Sequence, residues 1–396
     1  MKGALSWPFM RLYALTVLYF SANAILNVLI PLKGDSLGAS NSEIGIIMGA
    51  YLFTTMFFRP WAGHIIRQNE PVQVLRAIIV INGLALLLYT FTGLEGYFIA
   101  RVLQGACTAF FSMALQLGII DALPEEERSQ GVSMYSLFAS IPNVIGPLLA
   151  VGIWHSGEMT SFTWIIAAIV ILTGVTGFSI RNSASDASDP KSEGQSGAFF
   201  QSFSSLYRNP YLFRCSMIML IASIVFGAVT TFIPLYAPTI SNGSAAAFLT
   251  IQAGTLVAAR FFLRKKVPSD GKWHSGFIMT ILFLAAASTL GVCLSSSFRG
   301  GAFLFYTSAG LMGIAQALLY PTLTTYLSFV LPQTSRNVLL GLFVATADLG
   351  VSLGSAAMGP LADLTSYSVM YFICAILSVF VAAFAYDRGG NSIWKL

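Results

Sequence analysis

Twelve stretches of this chain are each long and apolar enough to cross a lipid bilayer: 9–31, 43–66, 73–93, 96–120, 130–153, 159–180, 211–237, 245–263, 274–296, 301–329, 337–359 and 366–386. About 20 residues rising 1.5 Å each span a hydrocarbon layer of about 30 Å. Lipid offers no water to backbone amides, so a single spanning segment satisfies its own hydrogen bonds only as a helix. The expected fold is therefore all-α and integral to a membrane. Charged residues make up 9% of the chain and hydrophobic ones 56%, which excludes a soluble domain, where about 25% is charged. The second and eighth stretches are the most weakly marked.

The chain also repeats itself. Ile30-Pro31-Leu32 recurs as Ile233-Pro234-Leu235 (offset 203), Arg59 as Arg260 (offset 201) and Gly105 as Gly313 (offset 208). Leu123-Pro124 with Arg128 recurs as Leu331-Pro332 with Arg336, again at 208. Four landmarks in order predict two pseudosymmetric six-helix bundles, over 1–182 and 209–396. Between them, 183–208 reads as a cytoplasmic linker, because Arg181–Gly197 is Ser/Gly-rich and cannot bury a core. Two homologous membrane halves around one midplane site is the build of a secondary transporter.

Orientation follows from the basic residues. With both termini cytoplasmic, all of the 21 Lys and Arg except Lys33, Arg299 and Arg101 fall at inner ends or loops. The first apolar run is too long for a signal peptide and reads as a retained helix. The net charge of +5 is scattered over helix ends, which argues against nucleic acid. Cys107, Cys215, Cys293 and Cys374 lie within apolar segments as packing residues, not as a disulfide framework. His64, His155 and His274 are too far apart for a metal cage, and no Walker loop or dinucleotide fingerprint occurs. The expectation is a carrier, not an enzyme, without cofactor or metal and working as a monomer.

Candidate site residues stand out because polar groups in lipid are costly. In the fourth helix Arg101, Gln104, Thr108, Ser112 and Gln116 step by three and four residues along one face. A shift of 208 places Gln316, Tyr320 and Thr324 of the tenth helix opposite Thr108, Ser112 and Gln116. Such stripes either line an aqueous path or bond between helices. Arg101, near one membrane surface, either meets an anionic ligand or snorkels. Asn23 and Asn27 share a face of the first helix and either touch substrate or bond a neighbouring helix. Asp348 falls deep in the eleventh helix, opposite Ser140 in the repeat. A carboxylate there either exchanges protons with an aqueous path or forms a fixed salt bridge with Arg260 or Arg59. Pro142, Gly146 and Pro147 of the fifth helix, and Gly350 and Gly354 of the eleventh, suit either rocking or close static packing.

These features together resemble the major facilitator superfamily. Arg101-Val-Leu-Gln104-Gly105 looks like its helix-four motif, whose Arg the resemblance associates with proton-coupled export. Gly146-Pro147 is similar to its antiporter motif, without the preceding glycines. Gly63-His-Ile-Ile-Arg67-Gln-Asn-Glu70-Pro71 keeps the leading glycine of the signature between helices two and three, but has Arg67 where the family places an acid. Several runs look like exporters of staphylopine-type opine metallophores: Phe20-Ser-Ala-Asn23-Ala-Ile-Leu-Asn27, Phe58-Arg-Pro-Trp61-Ala-Gly63, Tyr320-Pro-Thr-Leu-Thr324, and Ala347-Asp348-Leu-Gly350. That resemblance implies proton-driven export of a small anionic or zwitterionic metallophore across the bacterial cytoplasmic membrane. Asn23, Asn27, Arg101, Gln104, Thr108, Ser112, Gln316 and Tyr320 would bind it. Asp348 would couple protons, and Arg59, Gly63, Gly146, Pro147, Arg260 and Gly350 would serve packing or gating. The rival reading is a broad multidrug/proton antiporter of the same superfamily.

Overall fold

The computed structural model describes residues 6–69, 71–157, 159–179, 209–333 and 335–386. The linker expected over 183–208 lies outside the described residues, as does Glu70. Among the described residues every regular element is helical. The first six spans are α1 (Trp7–Ser36), α2 (Asn41–Gln68), α3 (Pro71–Phe91), α4 (Leu94–Ala122), α5 and α6 (Met159–Phe178). The helix α5 has two pieces, Glu125–Ser140 and Pro142–His155. The next six are α7 (Pro210–Tyr236), α8 (Ala245–Phe262), α9 (Ser275–Ser295), α10 (Gly301–Val330), α11 (Arg336–Leu364) and α12 (Tyr367–Ala385).

Among the described residues eleven segments are long and apolar enough to span a membrane. The twelfth span is α2, with 28 residues, whose Glu43, Arg59 and Arg67 dilute its apolar character. The eighth span, also weakly marked in sequence, qualifies at a mean hydropathy of 1.4. The break in α5 falls at Ile141, one residue before Pro142, whose ring nitrogen has no proton for the helical ladder. Pro147, by contrast, is carried inside the second piece. Large apolar side chains stay uncovered along the spans, including Trp164, Ile171, Val175, Phe303 and Phe380. In water such surface would be a liability; against acyl chains it is solvated.

Contacts divide the chain into two units, 1–30 with 50–196, and 31–49 with 197–396. The end of α1 and the start of α2 thus pack with the second unit. Helix pairings in the two units match with a shift of six helices. In the first, α3 packs on α4 and on α6; in the second, α9 packs on α10 and on α12. The core of the first unit joins Tyr13, Leu15, Tyr19, Leu75, Ile79, Phe111, Leu115 and Tyr135. Within it the Tyr19 and Phe111 rings stack 3.6 Å apart at 8°.

The glycines carry the repeat down to single atoms. A Cβ on Gly105 would sit 2.2 Å from the Tyr51 carbonyl oxygen and 2.9 Å from Thr54 Cβ. A Cβ on Gly313 would sit 2.4 Å from the Gln252 carbonyl oxygen and 3.0 Å from Thr255 Cβ. Tyr51 to Gln252 and Thr54 to Thr255 are both offsets of 201, the offset of Arg59 to Arg260. One helix crossing is therefore built twice, α4 on α2 and α10 on α8. Gly146 meets Ala24 of α1, and Gly354 the carbonyl of Ile224 in α7, in the same way. Gly350 would place a Cβ 2.4 Å from the Leu220 oxygen. All of these glycines sit where two helices approach closely.

Candidate substrate site

The polar stripe of α4 turns into the first unit. Arg101 is 0% exposed, and Gln104, Thr108 and Ser112 are buried beside it. The spacing of three and four residues explains this, since it keeps successive side chains on one helical face. Arg101 does not snorkel. Its two terminal nitrogens donate to Asn23 Oδ1 at 2.6 Å and to Asn27 Oδ1 at 3.0 Å. Asn23 and Asn27 are one turn apart on α1, so their amides match the two prongs of the guanidinium. The ring of Tyr51 from α2 lies 5.3 Å from the guanidinium carbon, within cation–π range. Three helices thus hold one buried cation, with neutral amides and an aromatic face as the partners seen here.

Gln104 and Thr108 of the same stripe bond to other helices. Gln104 Oε1 accepts from the Tyr89 hydroxyl of α3 at 2.6 Å. Thr108 pairs with the hydroxyls of Tyr51 at 3.0 Å and Tyr19 at 3.3 Å. Ser112 donates to the Ala109 carbonyl of its own helix. Sequence reasoning singled out the α4 groups but missed Tyr19, Tyr51 and Tyr89. Hydroxyl-bearing aromatics in apolar runs read as packing, and nothing in their spacing marks them.

In the second unit Gln316 Oε1 accepts from Gln252 Nε2 at 3.0 Å. Gln252 is 5% exposed, and its own Oε1 has no hydrogen-bond partner among the described residues. Sequence reasoning missed Gln252 too, which lies 201 residues after the equally unmarked Tyr51. The pair Gln252–Gln316 occupies the station held by Tyr51–Thr108 in the first unit. Tyr320 is half-buried and stacks on Phe343 of α11, ring centres 5.8 Å apart. Asp348 is half-buried on α11, two residues before Gly350. Arg260 lies in the last turn of α8, half-buried, with Nε lacking a hydrogen bond among the described residues. Arg59 is half-buried on α2, and a Cβ on Gly63 would lie 3.9 Å from Met113 Cε. Among the described residues no group of three His, Cys, Asp or Glu is arranged to hold a metal.

A twelve-span helical fold, repeated in halves and carrying a buried cation on its fourth span, is that of a membrane carrier. Residues 12–296 match the Major Facilitator Superfamily, and the chain belongs to that family. It is a multi-pass membrane transporter and not an enzyme. It is 55% identical over 383 residues to the staphylopine export protein of Staphylococcus aureus strain Mu50, covering 96% of each chain. It is 24% identical to an uncharacterized MFS-type transporter of Methanocaldococcus jannaschii, over 89% of this chain and 91% of that one. Among solved structures, the D-xylose-proton symporter matches with a TM-score of 0.76 at 13% identity, over 96% and 97% of the two chains. The nucleoside transporter NupG matches at 0.72 with 15% identity, over 96% and 98%. Those two likenesses show the fold.

Proposed function

We propose that this transporter exports a staphylopine-like opine metallophore, an anionic or zwitterionic small molecule, from the bacterial cytoplasm in exchange for protons. The observation that carries the reading is the buried Arg101 fork held by Asn23 and Asn27. The amide oxygens of Asn23 and Asn27 hold the two terminal nitrogens of the guanidinium in one fixed orientation. A ligand carboxylate offers two oxygens in the same fork geometry together with a full negative charge, so it competes well for those donors. The similarity to the staphylopine export protein supplies the substrate class.

In this reading Arg101 takes a carboxylate, while Asn23, Asn27, Gln104, Thr108, Ser112, Gln316 and Tyr320 receive the remaining polar atoms. Asp348 exchanges protons with the aqueous path, and the proton gradient is the energy source. Arg59, Gly63, Gly146, Pro147, Arg260 and Gly350 serve packing and gating. The protein acts as a monomer in the cytoplasmic membrane with both termini inside, its halves 1–182 and 209–396 joined by the cytoplasmic linker 183–208. The test is a deletion strain. Metallophore retained in the cells, with unaltered sensitivity to cationic drugs and restored release on complementation, supports the reading. Normal release with increased drug sensitivity replaces it with the multidrug one.

A further inference from the structure

The start of α2 presents a bonding pattern that its local sequence does not complete. Four N–H groups at a helix start have no partner within the helix. Ser40 and Glu43 form a capping box: Ser40 N donates to Glu43 Oε2 at 2.8 Å, and Glu43 N donates to Ser40 Oγ at 3.2 Å. That leaves the N–H groups of Asn41 and Ser42. Both go to one carboxylate more than three hundred residues away. Asn41 N donates to Asp363 Oδ1 at 2.9 Å and Ser42 N to Asp363 Oδ2 at 2.9 Å. The side chains of the same two residues add Asn41 Nδ2 to Oδ1 and Ser42 Oγ to Oδ2. The Tyr367 hydroxyl, at the start of α12, donates to Asn41 Oδ1 at 2.6 Å.

Behind this contact the backbones of α2 and α11 close up. A Cβ on Gly45 would lie 2.2 Å from the Ser355 carbonyl oxygen, and one on Gly49 2.7 Å from that of Ser352. Ser352 Oγ donates to the Gly49 carbonyl at 2.8 Å. A Cβ on Gly359 would lie 2.3 Å from the Asn41 oxygen. Nine residues of α2 are thus laid on α11 with three glycines at the seam, and Asp363 clasps the open end.

We propose that Asp363 is a positioning residue of the transport cycle: its carboxylate caps α2 from α11 and latches the first turns of α2 onto α11 and α12. A carboxylate at a helix start also complements the partial positive charge there. Undoing the seam hands two backbone donors to water and removes that charge complement, so Asp363 weights the equilibrium toward the seated form of α2. The latch is a physical feature of this chain whatever the cargo, although its bearing on export rests on the transporter reading above.

The test uses Ser352→Cys as a reporter in a Cys293→Ser background. Ser352 is 5% exposed beneath α2, and Cys107, Cys215 and Cys374 are buried. Purified full-length protein, without substrate, is treated with a water-soluble maleimide, and labelling at position 352 is timed by mass spectrometry. Asp363→Ala is expected to speed labelling about three- to tenfold, the effect of losing a helix cap. Asp363→Glu should restore part of the parent rate, and Tyr367→Phe should give a smaller acceleration. Labelling of Cys374 should stay slow in all of them, separating release of α2 from general unfolding. An Asp363→Ala rate within twofold of the parent overturns the latch, as does equal acceleration at Cys374. Where Asp363→Ala does not fold, Asp363→Asn and Tyr367→Phe decide by the same two rates. Because no substrate is present, failure here leaves the export reading standing, and failure of export leaves the labelling result intact.

Discussion

Replacing Arg101 by Lys keeps a cation on α4 and removes the fork. The guanidinium now makes two charge-assisted hydrogen bonds to Asn23 and Asn27, each worth about 1.5–3 kcal/mol. A lysine ammonium reaches one amide oxygen well and leaves the other short of a partner. Both asparagines are half-buried, so hydration recovers part of the loss and the net destabilisation is about 1–2 kcal/mol. Ligand binding should suffer more. A carboxylate held by two prongs falls to one, losing one such bond, and about 1.5–3 kcal/mol corresponds to roughly 10- to 150-fold in affinity. The assay is calorimetric titration of the purified protein with a staphylopine-type opine, with a cationic dye as control and thermal unfolding measured alongside. The dye should bind the variant and parent alike. Opine affinity within threefold of the parent, together with a lowered melting temperature, would refute the reasoning and leave Arg101 a purely structural cation.

Further outcomes follow from the same geometry. Gly105→Ala and Gly313→Ala each force a Cβ against a backbone carbonyl and should destabilise by about 1–3 kcal/mol in detergent melts. Gly63→Ala, whose Cβ would meet Met113 Cε at an ordinary contact distance of 3.9 Å, should instead be neutral or gain up to about 1 kcal/mol of helix propensity. Tyr89→Phe removes the donor to Gln104, leaves a buried amide oxygen unpaired, and should lower stability by about 1–3 kcal/mol in the same melts. Asp348→Asn should fold normally and lose gradient-driven opine export from vesicles; undiminished export would remove Asp348 from the coupling. In the α8–α9 connection, the His274 side chain and then the Lys272 amide hold the Asp270 carboxyl below its usual range. A lowered folded-state value means that the contribution is present above the unfolded carboxylate range and lost as pH falls through the folded value. Amide protection across this connection, corrected for the intrinsic exchange rate, should therefore fall below about pH 4, and Asp270→Asn should abolish that dependence.

The spans were legible because lipid permits one solution to backbone hydrogen bonding, and the pairing of halves was legible because four landmarks repeat. The weakest span in composition, α2, carries charge for reasons the fold supplies: Glu43 closes its own helix start, and Arg59 lies well along it. The stripe of α4 was legible as a face, but its alternatives were not separable from spacing. Whether Thr108 lines a path or bonds another helix depends on Tyr19 and Tyr51, which reach it from 89 and 57 residues away. Asn23 and Asn27 stood out as a pair and Arg101 as a cation, and only the packing of α1 on α4 joins them. Asp363 stayed hidden because an acid near a helix end looks like ordinary topology, and its partners are two backbone N–H groups with no sequence mark.

The duplicated helix crossing explains how such a chain comes to have a polar site at all. Gly105 and Gly313 bring α4 onto α2 and α10 onto α8 at contact distances that a methyl group would forbid. That closeness fixes which side chains meet one turn further on, so the station is inherited in both halves while its chemistry is free to differ. In the first half it holds two hydroxyls, Tyr51 and Thr108, with Arg101 beside the tyrosine ring. In the second it holds two amides, Gln252 and Gln316, with the buried Gln252 Oε1 unpaired among the described residues. A buried amide oxygen without a donor among the described residues suits a ligand amine. On that argument, exchanging Gln252 for Leu should spare a ligand that carries only carboxylates and weaken one that also carries an amine. Equal loss for both ligands would reduce Gln252 to packing.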